Sequence, residues 1–204
     1  VSTGEGVIKF RLEHQPAPPL PAAQIEELNR WRAWMQIRGL LGQMETRNGP
    51  LGFGNISCRV AGGFIITGSQ TGGLAEPGPE HFTLVREVDL ERNLVYSEGP
   101  IEPSSESLTH AAVYAQEGSI RWVMHGHCAS IWVQAEVLAL PTTLPDVPYG
   151  TPQMAAEVAR LFREENAAVA GIFAMGGHRD GIVSAGKTAE EAAAAIKRLL
   201  SKLG

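Results

Sequence analysis

The chain has 204 residues, 44% hydrophobic and 19% charged, a length and balance suited to one folded domain with a full apolar core. Its formal net charge is −5 and it has no lysine/arginine cluster, which argues against nucleic acid and anionic membrane surfaces as partners. No apolar run approaches the roughly 18–20 residues that cross a bilayer. No charged-then-apolar leader is visible, and Cys58 and Cys128 are too few for a disulfide framework, so the expected setting is reduced and cytoplasmic.

Residues 7–12 alternate weakly and suit an edge strand, followed by an extended connector carrying Pro16, Pro18, Pro19 and Pro21. Ile25, Leu28, Trp31, Met35, Leu40 and Leu41 fall at helical spacing and predict an amphipathic helix from 22 to about 45. Short apolar pieces at 55–60 and 64–67, set between glycine turns, predict hairpins. Further strands are expected at 85–89 and 94–96, around a turn at Glu91-Arg92-Asn93. Pro103-Ser104-Ser105 introduces a helix over 106–116 with a serine placed to cap it. A strand over 120–127 and a helix over 129–140 follow, then a proline-rich connector to 152 and a helix over 153–166. Strands at 169–175 and 181–185 precede a last helix that Thr188 caps. Helices and strands alternate with several strands adjacent, so the expected class is α/β with a mixed, largely antiparallel sheet. The expected organisation is an N-terminal strand and connector over 1–21 and one domain over 22–204.

Trp122-Val123-Met124-His125-Gly126-His127 is the stretch richest in chemistry. Strand side chains alternate faces, so His125 and His127 point the same way, about 6.5–7 Å apart along the backbone, a spacing that suits two ligands of one divalent metal. Cys128 falls on the opposite face and reads as a small apolar residue. Glu106 opens its helix with His110 four residues on, on the same face. That pair is either a first-turn acid with a routine helix-surface histidine, or a general acid/base oriented by its neighbour. The serines, the helix start and the glycine turns 52–57 and 67–73 suit an anion. His178 stands in a loop between two apolar strand pieces, as a solvated histidine or a third ligand.

The motifs Gly-Phe-Gly-Asn-Ile-Ser, Ile-Thr-Gly, Pro-Ser-Ser-Glu, His-Gly-His, Tyr-Gly-Thr-Pro and Gly-Lys-Thr-Ala-Glu-Glu-Ala, in this order, resemble the class II aldolase/adducin family from about Ile25 to the C-terminus. That family includes fuculose- and rhamnulose-phosphate aldolases, ribulose-phosphate 4-epimerases and methylthioribulose-phosphate dehydratases. The resemblance implies an α/β/α fold, a homotetramer with sites between subunits, and one divalent metal, commonly zinc, on three histidines. It also implies a small phosphorylated sugar as substrate. His125 and His127 match the histidine strand and Glu106 the acid/base, while Gly54, Asn55, Thr67, Gly68, Ser104 and Ser105 match positions that hold the substrate phosphate.

Two departures stand out. The family's third histidine commonly precedes the glycine of a following strand, where this chain has Asp180, with His178 two residues earlier. In an extended segment both face one side, so His178 is the expected ligand, with Asp180 as a supporting partner or the alternative. A carboxylate ligand favours manganese over zinc. The aldolases' catalytic tyrosine has no clear match, Tyr149 being the nearby candidate. The resemblance therefore implies a metal-dependent lyase of retro-aldol type, with an epimerase or dehydratase on the same fold as the alternative. An adducin-like interaction module is a third reading.

Overall fold

The computed structural model describes residues 6–46 and 49–203, so the first five residues of the expected N-terminal segment lie outside the described residues. In chain order the strands are β1 (Arg11–Pro16), β2 (Gly42–Thr46), β3 (Gly49–Phe53), β4 (Asn55–Val60), β5 (Gly63–Thr67), β6 (Phe82–Asp89), β7 (Leu94–Gly99), β8 (Trp122–His127), β9 (Ile172–Ala174) and β10 (Gly181–Gly186). The helices are α1 (Ala22–Ile37), α2 (Ser107–Gln116), α3 (Ala129–Val133), α4 (Pro152–Glu164), α5 (Ala167–Ala170) and α6 (Ala189–Leu203). Eight strands form one sheet in the order β1-β7-β6-β5-β4-β8-β10-β9, and β2-β3 is a separate hairpin. The edge pair β1-β7 is parallel and every other pair in the sheet is antiparallel. No described helix is long and apolar enough to cross a membrane.

Alternation along the strands divides the core into two layers. Ile65, Trp122, Met124 and Ile182 pack beneath α1, α3 and α6 with Leu28, Met35, Ile131 and Ile196. Phe64, Ile66, Val123 and Val183 pack beneath α2 and α4 with Leu108, Val113, Met154 and Val158. The result is an α/β/α sandwich in which both sheet faces are covered, as the α/β reading requires. β8 lies inside the sheet, between β4 and β10, so its side chains are buried on both faces.

Several element boundaries differ from expectation for local reasons. The first helix stops at Ile37 because Gly39 turns left-handed (φ +68°) and the N–H groups of Gly39 and Leu40 bond back to Gln36 and Met35 at 2.9 and 3.0 Å. Residues 42–46 are thereby released to form β2. The edge strand is shifted to Arg11–Pro16, with proline at its last position on the sheet edge, where a missing N–H is tolerated. The helix expected over 129–140 is α-helical only to Val133, and turns lead from there to a left-handed Ala139. Residues 167–170 form a helical turn closed by left-handed Gly171, which shortens β9 to Ile172–Ala174. Thr188 does cap the last helix, accepting the Glu191 N–H at 3.2 Å.

Two buried polar groups tie helices to the sheet and loops. Arg32 of α1 is buried and donates to the carbonyls of Leu74, Thr71 and Gly72 at 2.5, 2.5 and 3.0 Å, fixing the loop after β5. Burial lowers its pKa to about 10, so it stays charged at neutral pH. His110 is fully buried rather than on a helix surface, because its side of α2 is turned onto the sheet at β4. Its Nδ1 meets Ser57 Oγ at 2.7 Å, and Ser57 Oγ meets the Tyr114 hydroxyl at 2.8 Å.

Burial pushes the pKa of His110 down to about 3. With the folded value below the ordinary one, the unfolded chain takes up the proton first, and stability is lost as pH falls through about 6.5 toward 3. Urea unfolding of the metal-free protein between pH 7 and 5 is expected to show a falling midpoint. The slope should flatten by about 1.4 kcal/mol per pH unit in His110→Asn. An unchanged slope in that variant would show that His110 is not the group that titrates.

Candidate metal centre

β8 carries His125 and His127 to the α2 side of the sheet, with Gly126 turned to the other. A glycine is required between them: a Cβ at 126 would lie 2.9 Å from the Leu40 carbonyl oxygen, which also accepts the His127 N–H at 2.7 Å. His178 sits in the turn between β9 and β10. Met175 N–H bonds to Gly181 O at 2.9 Å and Gly181 N–H returns to His178 O at 2.9 Å, folding the imidazole back over β8. Gly176 and Gly177 permit that turn, since a Cβ at either would meet the Thr143 or Val147 carbonyl oxygen at 2.2 or 2.1 Å.

One ring nitrogen from each of His125, His127 and His178 lies within 4.8 Å of the others. The Nε2 atoms of His127 and His178 are 3.0 Å apart. His125 donates from Nδ1 to Ile182 O at 3.1 Å, which fixes its tautomer and leaves the Nε2 lone pair facing the cluster. That Nε2 is buried and has no hydrogen-bond partner among the described residues. Burial, then the neighbouring His178, His127 and His110, hold the His125 pKa well below the usual imidazole value. A neutral, orphaned and oriented nitrogen beside two further imidazoles fits a divalent ion of zinc type, with room for a further ligand.

Glu106 occupies the N-cap position of α2, yet its carboxylate does not cap the helix. Oε1 instead lies 3.9 Å from Nε2 of both His125 and His178. Ser104 serves the helix start, its Oγ accepting the Glu106 N–H at 3.3 Å and its carbonyl accepting the Ser107 N–H at 3.0 Å. Glu106 is 3% exposed, so the acid is a buried group of the histidine cluster rather than a solvated first-turn residue.

Asp180 stands apart from this set. The segment holding it is a turn rather than extended, so the two residues do not share a face. Asp180 is left-handed (φ +63°), its carbonyl accepts the Cys128 N–H at 2.7 Å, and its carboxylate is 3.8 Å from Arg179 Nε. Tyr149 packs edge-on to His178 with ring centroids 4.8 Å apart, and its hydroxyl bonds to the backbone N and O of Val7 at 3.1 and 3.2 Å. His14 and His81 lie elsewhere, on Ser97 Oγ at 2.9 Å and the Gly78 N–H at 3.1 Å. Cys128 packs against the core beneath α1 and α6.

A small cavity of about 20 Å³ opens beside His125 and Glu106. Gly54, Asn55, Gly68, Ser104 and Ser105 line it, together with Ser69, Gln70 and Thr71. Thr67 lies behind this wall, its carbonyl accepting the Ser104 N–H at 3.1 Å. No lysine or arginine is among the described lining residues, so the wall offers amides and hydroxyls. Sequence reasoning missed Gly6, which also lines the cavity, and the Gln70 side chain that accepts the Gly52 N–H at 2.8 Å and donates to Gly6 O at 3.3 Å. No periodicity or motif marks these contacts.

The fold is shared with solved structures. L-fuculose-1-phosphate aldolase from Thermus thermophilus superposes with a TM-score of 0.60 at 24% identity, over 84% of this chain and 86% of that one. A sugar-phosphate aldolase from Thermotoga maritima gives 0.60 at 16% identity, over 87% and 90%. YgbL from Klebsiella pneumoniae gives 0.64 at 18% identity, over 88% and 86%. Residues 45–200 match the model of the class II aldolase and adducin N-terminal domain. That span runs through β4, α2, β8 and the β9–β10 turn, which bring Asn55, Glu106 and the three histidines together, and the chain belongs to the class II aldolase/adducin family.

Proposed function

We propose that the protein is a metal-dependent lyase that cleaves a C–C bond of a ketose phosphate or related small hydroxy-carbonyl compound in the retro-aldol sense. The observation that carries this reading is the buried Glu106 carboxylate, 3.9 Å from the Nε2 atoms of two converging imidazoles. His125, His127 and His178 would hold one divalent ion, most simply zinc, which supplies electrophilic polarisation of a carbonyl oxygen. Glu106 moves the proton at the reacting carbon, taking it in one direction and returning it in the other. Its burial excludes water that would otherwise quench the carbanion.

The anionic end of the substrate lies in the cavity wall. Asn55, Ser104 and Ser105 hold it there with the backbone amide of Gly54, while Gly68 shapes the space beside Glu106 and spends its own N–H on the His81 carbonyl at 2.8 Å. Fuculose phosphate and sugar phosphate are what the names of two structural neighbours specify, and a phosphorylated sugar fits a wall of this kind. Assembly as a homotetramer with sites between subunits belongs to the same proposal and is checked by the mass in solution. Val133 at the end of α3 and Val137 beyond it are exposed and suit a covered surface.

Elemental analysis of the wild type is expected to give about one divalent ion per chain, lost in His127→Ala and in His178→Ala and kept in Asp180→Ala. Retention in His178→Ala with loss in Asp180→Ala would transfer the third ligand to the carboxylate. Glu106→Gln is expected to keep the metal and lower turnover of a cleavable ketose phosphate about 10²–10⁴-fold. Undiminished turnover in that variant would remove Glu106 from the proton transfer. Isomerised or dehydrated product without C–C cleavage would move the reading to an epimerase or dehydratase.

A further inference from the structure

Residues 6–10 precede the span that the family model matches, yet they reach the histidine cluster. Val7 engages the Tyr149 hydroxyl with both backbone groups, its N–H donating at 3.1 Å and its carbonyl accepting at 3.2 Å. The Lys9 ammonium lies 3.4 Å from the centroid of the same ring. Tyr149 in turn packs edge-on against His178, at 4.8 Å between centroids. The segment is itself held in place. Phe10 is buried in the core beneath α2 and α4, Asn93 Nδ2 donates to Lys9 O at 3.0 Å, and Arg11 N–H bonds to Asn93 O at 2.8 Å.

We propose that this N-terminal segment is a positioning element for the third metal ligand, acting through Tyr149 on His178. The inference rests on the metal reading above. His125 and His127 are fixed by a strand paired on both sides, whereas His178 rides on a turn flanked by three glycines. A turn-borne imidazole needs support from its surroundings to stay aimed at the cluster, and the Tyr149 ring provides a wall for it. Tyr149 is anchored at its hydroxyl by Val7 and pressed on its ring by Lys9. With its hydroxyl engaged as donor and acceptor by backbone, Tyr149 serves as a post for His178 rather than as a proton donor.

The test is zinc affinity, measured on the full chain by competition with a chromophoric chelator, with cobalt(II) absorption reporting ligand geometry. Tyr149→Phe removes the two hydrogen bonds and keeps the ring. Lys9→Met removes the charge over it, and Lys9→Arg retains that charge. Tyr149→Phe and Lys9→Met are expected to weaken zinc binding about 10–100-fold and to alter the cobalt bands, with Lys9→Arg close to wild type. The metal-free thermal midpoint should stay that of the wild type in both Lys9 variants and fall by only a few degrees in Tyr149→Phe, about what two lost hydrogen bonds cost. Wild-type zinc affinity in both Tyr149→Phe and Lys9→Met would overturn the proposal and leave the metal reading standing. Weaker binding accompanied by an equal loss of metal-free stability would also overturn it, as a general structural effect. A wild type that binds neither zinc nor cobalt would overturn the metal reading and this inference together.

Discussion

His125 gives up its hydration inside the sheet, and the bond from Nδ1 to Ile182 O, at 3.1 Å, fixes which way the ring faces. A neutral hydrogen bond of this kind contributes about 1 kcal/mol net, too little to offset an imidazole nitrogen left dry on its other side. The buried Nε2 therefore calls for a partner, and its neighbours are two more imidazoles and a carboxylate. The same register that buries His125 pairs it with Asn55 on β4 and Val183 on β10. One strand position thus places the candidate metal donor, the amide of the cavity wall and the β10 strand that leads back to His178.

The surroundings divide into parts that cannot move easily and parts that must be held. Strands β4, β8 and β10 are paired through the sheet and packed on both faces, so their side chains keep their positions. The loop after β5, the α2 start and the β9–β10 turn are irregular backbone, and each is secured from elsewhere. Arg32 binds three carbonyls of the first, Ser104 satisfies the donors of the second, and close glycine contacts shape the third. Arg32 acts from outside the cavity, and no lysine or arginine is among the described residues that line it.

The histidine strand and the acid at the helix start were legible because alternation and helix-start chemistry are local rules. They place His125, His127 and Glu106 without knowledge of the fold. The α/β class and the capping threonine of the last helix were legible for the same reason. Helix ends were less so. Gly39 ended α1 through a left-handed turn, while Leu40 and Leu41, in helical register by spacing, turned into the core instead. His110 could be read either as a helix-surface histidine or as a neighbour orienting Glu106, and its burial depends on Ser57 of β4, more than fifty residues earlier. That His178 and Asp180 share one face presumed an extended segment, and left-handed Asp180 makes it a turn. Gly6 and Lys9 escaped notice because their contacts with Gln70 and Tyr149 span long sequence separations and follow no period.

Shared fold and shared chemistry have different reach in this protein. Below 25% identity the superpositions establish the sandwich, and a sandwich of this kind accommodates more than one reaction. His125 and His127 sit on a strand paired on both sides, whereas Glu106 opens a helix and His178 rides on a turn. The cavity wall beside them is built from turns at 52–54, 68–72 and 104–105 together with Gly6. Gly6 has φ +72°, and a Cβ there would lie 2.2 Å from Gln70 Nε2, so even one methyl would displace the side chain that bridges to Gly52. The family match thus accounts for the frame of the site, and Gly6 is where the cavity wall extends beyond the matched span.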